Sequence, residues 1–210
     1  MEEEDQAPSS AAESLRLITE QTAATQRSLT LDARLQYWPW GFSWLIGFGL
    51  LYLRNGPDGQ VLWNLPSWLP LATLFALMIV ALVVTSVAGA RAGRHLVGNS
   101  PRRGKVYGLA WGVGFLSVFT VAGRLSRYLP GPEVGLMWGA LSIGVVATLY
   151  LAGSAIWGGQ RLMRLGLWTA GVNILGVWAG PGWHSLIISL AGGGGLILAG
   201  LIANIHRGQS

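Results

Sequence analysis

The sequence contains no cysteine. That excludes disulfides, thiol nucleophiles and thiolate metal sites, and leaves the redox compartment open. Charge is scarce as well. Only 11% of the 210 residues are charged, against roughly 25% in an ordinary soluble protein. Acidic residues almost vanish after Asp32. Glu2, Glu3, Glu4, Asp5, Glu13, Glu20 and Asp32 come early, and only Asp58 and Glu133 follow. A water-facing surface over residues 36–210 could hardly be built with two carboxylates, whereas a lipid-facing surface needs none. Lysine is reduced to Lys105, the other basic residues being arginine. With so much glycine and alanine, this composition fits a GC-rich genome. A signal peptide is not expected, because the start is acidic and the first apolar run begins near residue 37.

What the sequence has is apolar length. Hydrophobic residues make up 51% of it, with 31 glycines and 11 tryptophans. Six apolar runs stand out, at 37–53, 68–90, 107–123, 134–157, 165–180 and 183–203. About 20 helical residues cross a ~30 Å hydrocarbon core. The runs lack alternating polarity and exceed the length of barrel strands, and helices satisfy their backbone polar groups internally, as hydrocarbon demands. The expected fold class is therefore all-α: a polytopic transmembrane helical bundle of about six spans within residues 36–205. Only Pro181-Gly182 separates the last two runs. A tight hairpin and a re-entrant pair that stops short of the far side are both open.

Basic residues set the expected orientation. Arg16, Arg27, Arg34, Arg91, Arg94, Arg102, Arg103, Lys105, Arg161, Arg164 and Arg207 fall on one side of a six-span scheme, and Arg54, Arg124 and Arg127 on the other. The positive-inside rule places the larger set, and both termini, in the cytoplasm of a bacterial inner membrane. Because the basic residues sit in short connectors, the net charge of +5 reads as topology signal and not as a nucleic-acid groove. Tryptophans at the run borders (Trp38, Trp40, Trp63, Trp68, Trp157) read as interfacial anchors.

Ahead of the spans, residues 1–9 read as a disordered acidic tail and 10–35 as a cytosolic amphipathic helix. Ser10 and Glu13 have capping-box spacing. Ala11, Leu15, Ile18, Thr22, Thr25 and Leu29 recur on one helical face. That face could dock a partner or a second copy, or lie against its own bundle or the bilayer. Residues 206–210 form a cytosolic tail.

Small residues recur every fourth position at Gly108/Gly112, Gly135/Gly139, Gly166/Ala170, Gly176/Gly180 and Gly195/Ala199/Ala203, which permits close helix packing within one chain or between copies. The run Gly192, Gly193, Gly194 and Gly195 is a candidate hinge or cavity-lining segment, since broken helices serve transporters in this way. Its other reading is a smooth face against a crowded neighbour. It is no phosphate loop, for it lacks the GK[ST] ending and follows no strand. Trp-Gly recurs at residues 40, 111, 138 and 157, through duplication or coincidence.

Chemistry is sparse. No Asp or Glu lies within a run, which counts against an ion-coupled pump. His95 and His206 are expected in inner connectors and His184 at the outer turn, too far apart to share a metal. No nucleophile, base and acid can be grouped. The expectation is therefore no enzyme, no metal site and no cofactor. Asn173 is the most polar residue in mid-span, a candidate either for an interhelical hydrogen bond or for a substrate contact in a cavity. Arg124 and Arg127 share a helix face if the helix continues past them, and are candidate anion or headgroup ligands, paired with Glu133 across the short PGP turn; snorkelling to the interface is their other reading.

The stretch around YWPWGFSWLIGFGLLYL, with the basic helix before it (about residues 11–55), resembles uncharacterised small multi-pass integral membrane proteins of GC-rich bacteria, of transporter type. The resemblance carries no catalytic motif. It implies a small transporter, or the membrane subunit of one, without its own ATPase. The rival expectation is a non-catalytic membrane scaffold or regulator acting through its N-terminal helix. Expected partners are the lipid bilayer and a second copy or another membrane or cytosolic protein.

Overall fold

A computed structural model describes residues 10, 13, 15–16, 33–93 and 100–205. The acidic tail, most of the N-terminal helix, His95, His206 and the C-terminal tail lie outside the described residues. Of the helix start, Ser10 Oγ accepts a hydrogen bond from the Glu13 amide at 3.2 Å, which is the N-capping half of a capping box.

Six helices follow: α1 (Ala33–Asn55), α2 (Leu69–Gly93), α3 (Ser100–Leu125), α4 (Gly131–Trp157), α5 (Gln160–Ala179) and α6. The last runs without interruption through Trp183–Ile187, a π-helical turn at Ile188–Gly193, and Gly194–Ile205. No strand occurs among the described residues. The fold is an all-α polytopic bundle. Five helices, α2 to α6, are long and apolar enough to cross a membrane. The first is rich in aromatic rings and carries Pro39 and terminal arginines, which lowers its apolarity, yet its 23 residues reach about 35 Å. It also begins at Ala33, inside the segment expected to belong to the cytosolic helix. The reason is packing: Ala33 and Tyr37 are buried in the same core cluster as Ala203.

The spatial order is α2–α1–α6–α5–α4–α3. The inner helices bury most. Of the apolar window of α6, 39% is buried, against 6% for α3. The outward sides of α2 and α3 carry Phe75, Ile79, Val83, Leu109 and Leu116, all exposed. So large an apolar surface would aggregate in water and suits lipid.

Glycine sets the close contacts. At Gly193 an added Cβ would stand 2.7 Å from the Gly41 carbonyl oxygen and 2.6 Å from the Leu45 amide nitrogen, so α1 and α6 cross backbone to backbone. Tryptophans fill the remaining notches. Trp44 lies against Gly192, Trp168 against Gly195 and Trp38 against Gly200. Two of these indoles also donate to a carbonyl of the same helix: Trp168 Nε1 to Ala191 O at 3.0 Å and Trp38 Nε1 to Ile197 O at 3.1 Å. In hydrocarbon such bonds meet no competition from water.

At the edge, α3 is joined to α4 by rings. Trp157, Tyr107, Trp111, Phe115, Phe119 and Trp138 form a continuous ladder with centroids 4.7–6.2 Å apart. Tyr107 Oη donates to Leu149 O at 2.6 Å, and Trp138 Nε1 donates to Ser126 Oγ at 2.9 Å. The expected small-residue stripe on α3 faces away: Gly108 and Gly112 meet no described residue within 4 Å.

The α5–α6 connection is a tight hairpin, with Gly180 and Gly182 at φ 90° and 81°, a backbone region that L side chains rarely adopt. Gly182 also packs on the backbone of Gly56 and Pro57. Both flanking helices are long enough to cross, which favours the hairpin over the re-entrant alternative.

The packing yields a paired prediction. Gly193→Val must push backbone apart and should cost at least about 2 kcal/mol. Gly194 has open space beside it, so Gly194→Ala should be neutral or mildly stabilising. Thermal melts of both variants in the same detergent check this; equal melting temperatures would remove the backbone crossing.

Candidate functional site

Polar groups in mid-bundle are few, and two of them meet. Asn173 projects from the middle of α5, where its amide nitrogen donates to Ala140 O of α4 at 3.0 Å. That fixes which end of the amide faces α6. The Asn173 Oδ1 atom then lies 2.9 Å from His184 Nε2. An amide oxygen can only accept, so Nε2 carries the ring proton and Nδ1 is left as an acceptor. One chain of hydrogen bonds thus ties α6 to α5 and α5 to α4.

His184 is 2% exposed. Its ring occupies a slot made by two glycines on different helices. A Cβ at Gly139 of α4 would stand 2.9 Å from the ring Cε1, and one at Gly176 of α5 would stand 2.8 Å from Cδ2. Phe48 of α1 also reaches this place, 3.7 Å from that same point beside Gly139. Gly139 and Gly176 belong to the small-residue stripes visible in the sequence. Their use here is to hold an imidazole between two backbones.

His184 was expected at the outer turn; it follows that turn directly, and its ring is buried in the bundle. The turn itself is tucked under the α1–α2 connector through Gly182, so the following residue enters the bundle. The available signal was the position of two polar residues on opposite arms of a two-residue hairpin.

The glycine run does not line a cavity at the positions that matter. Gly192 is covered by Trp44, Gly193 by α1 backbone and Gly195 by Trp168, while Gly194 alone has open space. The helix is continuous through the run, whose first two glycines close a π turn that begins at Ile188. Ser189, within that turn, donates to Leu45 O at 2.6 Å. Asn173 meets α6 at His184, apart from the glycine run farther along the same helix.

Arg124 and Arg127 do not share a helix face, because α3 stops at Leu125 and the chain turns at 126–128. The Arg124 guanidinium lies over the Tyr128 ring at 5.3 Å. Both arginines are exposed, which fits snorkelling at an interface. Among the described residues no group of three His, Cys, Asp or Glu could hold a metal ion. The ring and the amide fix one another's orientation across α5 and α6.

A double-mutant cycle tests the chain of bonds. Asn173→Ala strands the buried Nε2–H, and the coupling with His184→Phe should be about 0.6–2 kcal/mol in micelle unfolding. Coupling indistinguishable from zero would mean that the two side chains do not share a bond.

Comparison of the chain with family models, with curated proteins and with solved structures finds no match.

Proposed function

We propose that this chain is a non-catalytic membrane scaffold, a bundle whose task is to present surfaces to lipid and to other proteins. The observation that carries the reading is that the polar centre is spent on helix packing. Both ends of the Asn173 amide are hydrogen-bonded within the chain, and tryptophans or backbone occupy three of the four glycines in the run. A solute pathway needs polar groups that face a passage, whereas here they face other helices. Scarcity of intramembrane chemistry supports the same reading.

The proposal includes a bacterial inner membrane with both termini in the cytoplasm. Its support is the count of basic residues, eleven on one side of the six-span scheme against three on the other. The capped helix start at Ser10 and Glu13 supports an N-terminal segment able to fold and engage a partner, such as a second copy or a cytosolic protein.

One observation favours a second reading, a small transporter without its own ATPase, in line with the resemblance stated above. The π turn at Ile188–Gly193 widens α6 beside its closest contact with α1, and π turns often mark functional positions in helices.

Reconstitution separates the two. Proteoliposomes should pass a panel of neutral solutes no faster than empty vesicles, and a photocrosslinker at Leu15 should give one discrete adduct in whole membranes. Solute-dependent flux that Asn173→Ala abolishes would overturn the scaffold reading in favour of transport.

A further inference from the structure

The end of the bundle where α3 begins and α4 ends carries a groove of about 650 Å³, lined by Arg102, Arg103, Val106, Ala155 and Ile156. Its composition divides in two. Two guanidinium groups supply positive charge, and three aliphatic side chains supply an apolar wall. Among the described residues no carboxylate lines it. Val106 is 61% exposed and Ile156 37% exposed, so the wall is open to an incoming ligand.

The groove lies where one apolar span begins at Arg102 and another ends at Trp157. Just beside it Trp157 and Tyr107 stack edge to face at 4.7 Å, with Trp157 partly exposed, the arrangement of an interfacial aromatic belt. Arg102 and Arg103 both line the groove, and their long flexible stems let two guanidinium groups from adjacent helical positions reach one anion. A guanidinium fork matches phosphate oxygens in pairs. Val106 follows Arg102 by one helical turn and continues the groove as a greasy track towards the hydrocarbon.

We propose that this groove binds an anionic glycerophospholipid, its phosphate between Arg102 and Arg103 and the start of an acyl chain against Val106 and Ile156. The volume falls in the range of small-molecule sites. Basic pockets between transmembrane helices bind such headgroups in general. A soluble anion would satisfy the arginines and leave the apolar wall unused. A zwitterionic lipid would use the wall and cancel much of the charge attraction.

The full chain, purified in neutral detergent and stripped of lipid, is titrated with phosphatidylglycerol, with phosphatidylcholine of equal chain length, and with inorganic phosphate. Melting temperature and native mass spectrometry are read together. Phosphatidylglycerol should raise the melting temperature and remain bound, with the other two giving little. R102Q/R103Q should weaken retention roughly tenfold or more, and Arg91→Gln, an exposed arginine at the end of α2, should leave it unchanged. An equal response to phosphatidylcholine, an equal response to inorganic phosphate, or full retention by R102Q/R103Q would each overturn the proposal. If the double variant melts too early to titrate, the lipid count on each single variant by mass spectrometry decides in the same way.

Discussion

The bundle depends on how near α1 and α6 can come. Lipid tails are as apolar as leucine, so helices in a membrane gain little by hiding side chains from their surroundings. Association has to come from contact density and from hydrogen bonds that lipid cannot offer. Gly41 and Gly193 remove the side chains at the crossing. The space on either side is then sized for indoles, and Trp44, Trp168 and Trp38 take it. Two of these rings add a bond to a helix carbonyl. Flat rings laid on bare backbone give more contact per residue than branched aliphatics could. The abundance of both glycine and tryptophan follows from this one device.

With α1 and α6 fixed, the other helices are added outward at falling density. A strip of glycines and the His184 ring seat α5 and α4. Among the described elements, the edge helix α3 is attached in any substance only to α4, by an aromatic ladder. Edge helices of this kind leave most of their surface to lipid. That exposure is what makes the groove beside Arg102 and Arg103 accessible.

Apolar length was legible without coordinates. Each of the six runs coincides with a helix to within a few residues at its core, because hydrocarbon forces any long apolar segment to satisfy its own backbone. Helix ends were less legible: α3 starts at Ser100, well before its apolar run at residue 107, since arginine and lysine stems extend a helix into the interface. Sidedness of the glycine stripes could not be read. The same spacing buries Gly166 against Leu151 and leaves Gly108 facing nothing, because spacing defines a stripe and not its neighbour. The partnership of Asn173 with His184 was hidden for a similar reason. Asn173 was marked by its depth, whereas the depth of His184 is set by how the hairpin packs under the Gly56–Pro57 connector. The tryptophans at 38 and 157 were read as anchors from position alone, and both also serve as packing elements.

The π turn in α6 has a consequence for register. One residue more than an α-helix needs is accommodated between Ile188 and Gly193, and everything beyond it is rotated to match. Wound without that widening, the same residues would make a regular helix of unchanged hydropathy. Everything past Gly193 would then swing by about 100°, carrying Leu196 out of the core, the notch at Gly200 away from its indole, and Ala203 out of the cluster it shares with Tyr37. A wheel drawn at constant pitch would thus misplace half of the central seam.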